Sequence, residues 1–140
     1  MKRDGYIIEE IIERANLESS FDTVVHGTKR KELKEGKWLL AHRESFLDDV
    51  AKEIASGHVN VSNYHEKHIH EGNKWRDIQV FNMRTRIKIN AVMSVVDKHL
   101  HRRYIRTTAA SIKQRGMHDL KTYIEKDIQL YPKEMKYIYK

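Results

Sequence analysis

The chain contains no cysteine. That absence removes disulfides, thiolate nucleophiles and cysteine-based zinc sites in one step. Proline occurs once, at Pro132, and the six glycines are scattered, so no Pro- or Gly-rich linker marks a domain boundary. There is no internal repeat. No apolar run is long enough to cross a bilayer. The opening residues Met1-Lys2-Arg3-Asp4-Gly5 lead into an amphipathic run interrupted by Glu9, Glu10 and Glu13, which lacks the unbroken apolar segment of a secretion signal. These absences point to a cytoplasmic protein with no membrane partner. What is present is 140 residues, enough to bury a core as one domain or as a substantial piece of a larger protein.

The patterning predicts an α+β fold, helices packed with a small antiparallel β-hairpin. Ile7, Ile8, Ile11, Ile12 and Ala15 recur at helical spacing and predict an amphipathic helix over 6–17. Ser19 or Ser20 then caps a shorter helix through Phe21, Val24 and Val25, with Gly27 as its stop. Residues 28–37 are charged, with almost nothing to bury, and read as a loop or an exposed turn. A long helix is expected over 38–56, stopped by Gly57. Two strand-like runs follow, 64–70 and 75–81, joined by Glu71-Gly72-Asn73-Lys74, which is a hairpin signal. Asn82 caps a helix over 83–101 that buries Ile87, Ala91, Val92, Val95, Val96 and Leu100 and begins its exposed side with Arg84 and Lys88. Residues 105–114 read as a loop. A last helix over 117–130 buries Leu120, Tyr123, Ile124 and Ile128 and is closed by Pro132, and residues 135–140 have strand character.

Charge is concentrated in one stretch. Residues 74–118 hold eleven Lys and Arg against two Asp, a net +9 where the whole chain has +7. The remainder is slightly acidic, so the positive field is local and suits a polyanion. Trp75, Phe81 and Tyr104 are interleaved with these charges, as aromatics that stack on bases often are. Lys29-Arg30-Lys31 with Lys34 makes a smaller patch, diluted by Glu32 and Glu35. His65, His68 and His70 invite a metal, but on a strand His68 and His70 share a face while His65 points away, so none is expected. Glu9, Glu10 and Glu13, and Asp48, Asp49 and Glu53, are the ordinary solvated faces of amphipathic helices rather than catalytic pairs. No nucleophile elbow or phosphate loop is present.

The stretch Lys74-Trp75-Arg76-Asp77-Ile78-Gln79-Val80-Phe81-Asn82-Met83-Arg84-Thr85-Arg86-Ile87, followed by a helix and Tyr104, resembles the first fingers motif of bacterial reverse transcriptases of the group II intron, retron and diversity-generating type. Ser111-Ile112-Lys113-Gln114-Arg115-Gly116-Met117-His118-Asp119-Leu120 resembles the second motif, a basic Gly-containing turn leading to a histidine that opens a helix. The resemblance covers residues 64–140, with 1–63 as a helical N-terminal extension, the two together forming one compact unit. It implies the fingers subdomain of a right-hand polymerase, which holds an RNA template or RNA–DNA duplex and the phosphates of an incoming dNTP. Carried over by motif, Lys74, Arg76, Arg86, Arg115 and His118 are the contact residues, with Arg84 and Lys113 beside them. Thr85 stands where the family commonly has an acid, Gln114 where it has Gly, and Ile112 where it often has a basic residue. The catalytic aspartates, the Tyr-x-Asp-Asp motif and the Mg²⁺ of the complete enzyme belong to a palm that would follow Lys140, so this stretch alone is expected to be inactive. A self-standing basic RNA- or DNA-binding module, and a protein-interaction domain with an acidic partner, remain alternatives, and no oligomeric state follows from the sequence.

Overall fold

The computed structural model describes residues 5–26, 28–105, 108–109, 112 and 115–135. The expected stop at Gly27, the basic residue Lys113 and the strand expected at 136–140 lie outside them. Among the described residues the protein is α+β, with six α-helices and one two-stranded antiparallel sheet. The order is α1 (Ile7–Ile12), α2 (Arg14–Val25), a 3-10 turn (Thr28–Glu32), α3 (Lys34–Ala41), α4 (Arg43–Ala55), β1 (Tyr64–Glu71), β2 (Lys74–Phe81), α5 (Met83–His101) and α6 (Met117–Leu130). No described helix is long and apolar enough to cross a membrane. The chain divides into two compact units, Met1–His99 and Leu100–Lys140.

The first unit holds the core. Leu17, Phe21 and Val25 of α2, Leu39 of α3, Leu47 and Val50 of α4, and Ile87, Ala91 and Val95 of α5 are buried together. Burying a residue such as Leu47 completely contributes about 1.5–3 kcal/mol. The cluster therefore binds α5 to the helices that precede the hairpin.

Two helices expected to be continuous are broken, neither by proline nor by glycine. The expected helix over 6–17 ends at Glu13, whose ψ of 130° is extended, and α2 then runs straight through Ser19 and Ser20 instead of starting at them. Asn16 explains why the break is tolerated: its side-chain amide donates to the Ile11 carbonyl at 2.8 Å and to the Ala91 carbonyl at 3.0 Å, while its Oδ1 accepts from Ser94 Oγ at 2.6 Å. The carbonyl freed by the break is thus paired, and α1, α2 and α5 are tied at one point. The expected helix over 38–56 breaks at His42, and its first part starts earlier, at Lys34. The His42 ring nitrogen Nδ1 lies 2.9 Å from the Trp38 carbonyl, which only accepts, so Nδ1 carries the proton. Residues expected to form a loop are therefore helical from Lys34 onward.

The hairpin forms with every residue of β1 facing one of β2, from Tyr64 opposite Phe81 to Glu71 opposite Lys74. Its turn is only Gly72-Asn73, tighter than the four-residue connection expected. Gly72 has φ +62° and Asn73 is not among the positive-φ residues, the pattern of a type II′ turn, which matches strand twist. At about 3.4 Å per residue the hairpin reaches about 25 Å from its base. Nearly all of it is exposed on both faces; only Val80 and Phe81, at the base, are half-buried.

In the second unit, α6 matches its expected span but not its expected burial. No residue of α6 is buried; Leu120 and Tyr123 are half-buried, and Ile124 and Ile128 are exposed. Among the described residues, α6 is the one helix lying wholly in its unit.

Candidate nucleic-acid interface

Antiparallel register assigns each hairpin side chain to a face. Lys67, Ile69, Glu71, Lys74, Arg76 and Ile78 share one face; Tyr64, Glu66, His68, His70, Trp75, Asp77 and Phe81 share the other. Lys74 and Arg76, two residues apart on β2, share the first of these faces. Trp75, interleaved with them in sequence, points to the opposite face. The first face carries three cations and one acid, with Arg76 Nε 2.9 Å from Glu71 Oε2 in an exposed pair. The second face carries two carboxylates and two histidines. His68 is paired with Asp77, and the His70 ring lies 4.8 Å from that of Trp75. The histidines are thus dispersed: among the described residues no group of three or more His, Asp or Glu is gathered in a way that could hold a metal ion. The resemblance places its Mg²⁺ in a palm rather than among these residues.

The hairpin feeds directly into α5, whose first turn is capped twice. Asn82 Oδ1 accepts from the Thr85 N–H at 2.8 Å, the expected cap. Glu35, from α3, accepts from the Met83 and Arg84 N–H groups, each at 3.2 Å. A helix N-terminus favours an anion, and here a carboxylate of the protein already fills that place. Nothing near Glu35 in sequence announces this, because its partners are 48 and 49 residues away.

Arg84 and Arg86 diverge, since residues two apart stand about 200° apart around a helix. The Arg84 guanidinium lies over the Trp38 ring, its carbon 4.0 Å from the centroid. Arg86 is half-buried beside a groove of about 410 Å³ lined by Thr23, Val24, Phe81, Ile89, Asn90 and Met93. No carboxylate among the described residues pairs with Arg86 or Arg84. Lys88 behaves otherwise than its expected exposure suggests. Its Nζ is 2.6 Å from Glu53 Oε2 and 3.3 Å from the Asn60 carbonyl, with only 14% of its side chain exposed. Burial raises the Glu53 pKa, but the hydrogen bond from Lys88, the Asn60 N–H and the Lys88 charge together outweigh burial and hold it below the usual glutamate range. Lys88 is a structural cation joining α4, α5 and the irregular segment that holds Asn60.

In the second unit Arg115 is half-committed to its own loop. Its Nη1 donates to the Ile105 carbonyl at 3.2 Å and the Thr108 carbonyl at 3.4 Å. Asp119 accepts from the Gly116 N–H at 2.9 Å; glycine has no side chain to reciprocate, so this is half of a capping box. His118 is exposed in the first turn of α6. The site residues thus fall into three groups: Lys74 and Arg76 near the hairpin tip, Arg84 and Arg86 on two sides of α5, and Arg115 and His118 in the second unit.

No protein-family model, curated protein or solved structure matches this chain.

Each of the three groups of site residues presents positive charge among the described residues.

Proposed function

We propose that this chain is the fingers region of an RNA-directed DNA polymerase, holding a template strand and the phosphates of an incoming nucleotide for a catalytic palm elsewhere. The observation that carries this reading is that an exposed hairpin with Lys74 and Arg76 on one face runs directly into a helix whose first turns carry Arg84 on one side and Arg86 on the other. A hairpin reaching about 25 Å follows about seven nucleotides of a strand at 3.4 Å per phosphate, which suits a template better than a single small ligand.

A second reading, a basic nucleic-acid-binding module without catalysis, is favoured by Glu35. The N-terminus of α5 is capped by that carboxylate, so a triphosphate would rely on side chains rather than on helix N–H groups. One titration separates the two readings. Binding to an RNA–DNA hybrid whose template strand extends 5′ beyond the primer is compared, by fluorescence anisotropy, with binding to a blunt hybrid. The fingers reading expects several-fold tighter binding to the extended template and a salt slope shallower by about 1.8 in the double variant K74A/R76A. Equal binding to both hybrids leaves the module reading. A slope unchanged in the variant removes the hairpin from both.

A further inference from the structure

The N-terminal helices carry a cationic surface that neither motif includes. Lys34, Lys37 and Trp38 stand at i, i+3 and i+4 of α3 and therefore share one side of that helix. All three are exposed, and neither lysine has an ion-pair partner among the described residues. Of the two nearby acids, Glu35 is occupied with the N–H groups of α5, and Glu32, at the end of the 3-10 turn, is exposed. The Trp38 ring is held by the His42 ring, stacked at 4.5 Å and 15° from parallel, and by the Arg84 guanidinium at 4.0 Å. The 3-10 turn packed before α3 adds exposed Lys29 and Lys31.

A cation–π contact fastening α5 to α3 is the modest explanation of the Trp38–Arg84 pair, and at an exposed site it contributes little. It leaves the unpaired lysines unexplained. Arg84 is an exposed residue, and its guanidinium carbon stands 4.0 Å from the indole centroid. Planar groups of that kind, ordered and flanked by free cations, are what unpaired bases stack on, with phosphates meeting the cations. An acidic peptide would satisfy the lysines but would gain nothing from the ordered plane.

We propose that the α3 face bearing Lys34, Lys37 and the Trp38–Arg84 stack is a contact site for single-stranded nucleic acid. An unpaired base lies on the Arg84 guanidinium, and its flanking phosphates meet the two lysines. The site stands whether the chain is a polymerase fingers region or a simpler binding module.

The test uses a labelled twelve-nucleotide oligoadenylate, as RNA and as DNA, titrated across a salt series. Arg84→Lys keeps the charge and loses the plane, so affinity is expected to fall about tenfold with the salt slope unchanged. The double variant K34A/K37A is expected to make the slope shallower by about 1.4, at about 0.7 per lysine on a single strand. Because the chain has two tryptophans, Trp75→Phe leaves Trp38 as the sole indole reporter, and its emission should change saturably with the oligonucleotide. Stacking is blind to the sugar, so RNA and DNA should serve alike. Wild-type affinity in Arg84→Lys, or an unchanged slope in the lysine variant, overturns the site. So does a Trp38 response to adenosine monophosphate alone, or equal competition by polyglutamate. The lysine variant removes only exposed side chains, so it reads the site even if Arg84→Lys weakens the fold. Failure here with intact binding at Lys74 and Arg76 leaves the proposed function standing.

Discussion

Lys88 offers the clearest separation of a cation that builds the fold from one that meets a ligand. Lys88→Met removes the ammonium and keeps most of the aliphatic stem. What is lost is a 2.6 Å charge-assisted bond to Glu53 and the bond to the Asn60 carbonyl, in a site where the two charged side chains are only 14% and 24% exposed. Charge-assisted bonds contribute about 1.5–3 kcal/mol, and removing one member of a fully buried pair costs about 3–5 kcal/mol. This half-buried pair should lie near 2–3 kcal/mol. For a unit of this size that lowers the melting temperature by about 10–20 °C. The pH dependence follows in sign. Glu53 is held below its unfolded value of about 4.3, so its contribution is fully present above that value and is lost as pH falls through the folded one. Lys88→Met should therefore flatten the acid side of the stability profile, and Glu53→Gln with Lys88→Met should cost less than the sum of the two alone. Urea melts at neutral pH and at about pH 4 measure this, with RNA affinity measured in parallel. A variant as stable as the parent but weaker on RNA would refute the structural role.

Two further perturbations probe the elements that position the interface. Gly72→Ala places a side chain at φ +62° with open space around it, so the cost is backbone strain of about 1–2 kcal/mol. It should fall on the hairpin, as faster amide exchange in β1 and β2 with little change in the melting of the helical core. Asn82→Ala removes one cap of α5 and should cost about 1 kcal/mol in urea melts; adding Glu35→Ala should cost more than either alone, and strictly additive losses would mean that the two caps act independently.

The elements that were legible in the sequence are those fixed by local chemistry. Asn82 is a side-chain cap three residues from its target, Gly72 supplies a positive φ, and α5 and α6 begin and end where caps and period said. The breaks at Glu13 and His42 were not legible, because they depend on Asn16 reaching Ala91 and on a histidine ring turned onto its own helix. A charge pattern says which side chains are charged, not which of them meet. Lys88 looked exposed until Glu53, 35 residues earlier, arrived beside it, and the Trp38–Arg84 stack joins residues 46 apart. Trp75 looked like an aromatic among cations, but strand alternation turned it away from Lys74 and Arg76. The expected burial of Ile124 and Ile128 assumed a packing partner that periodicity cannot supply.

The central claim is that the basic side chains of the hairpin and of the first turns of α5 meet one polyanion. Its most direct test is the salt dependence of binding to an RNA–DNA hybrid with an extended template strand, for the parent and for Arg76→Ala with Arg86→Ala, each checked for folding by circular dichroism. The account predicts steep salt dependence in the parent and a slope shallower by about 1.8 in the double variant. Binding that survives both substitutions with its affinity and slope unchanged would contradict it.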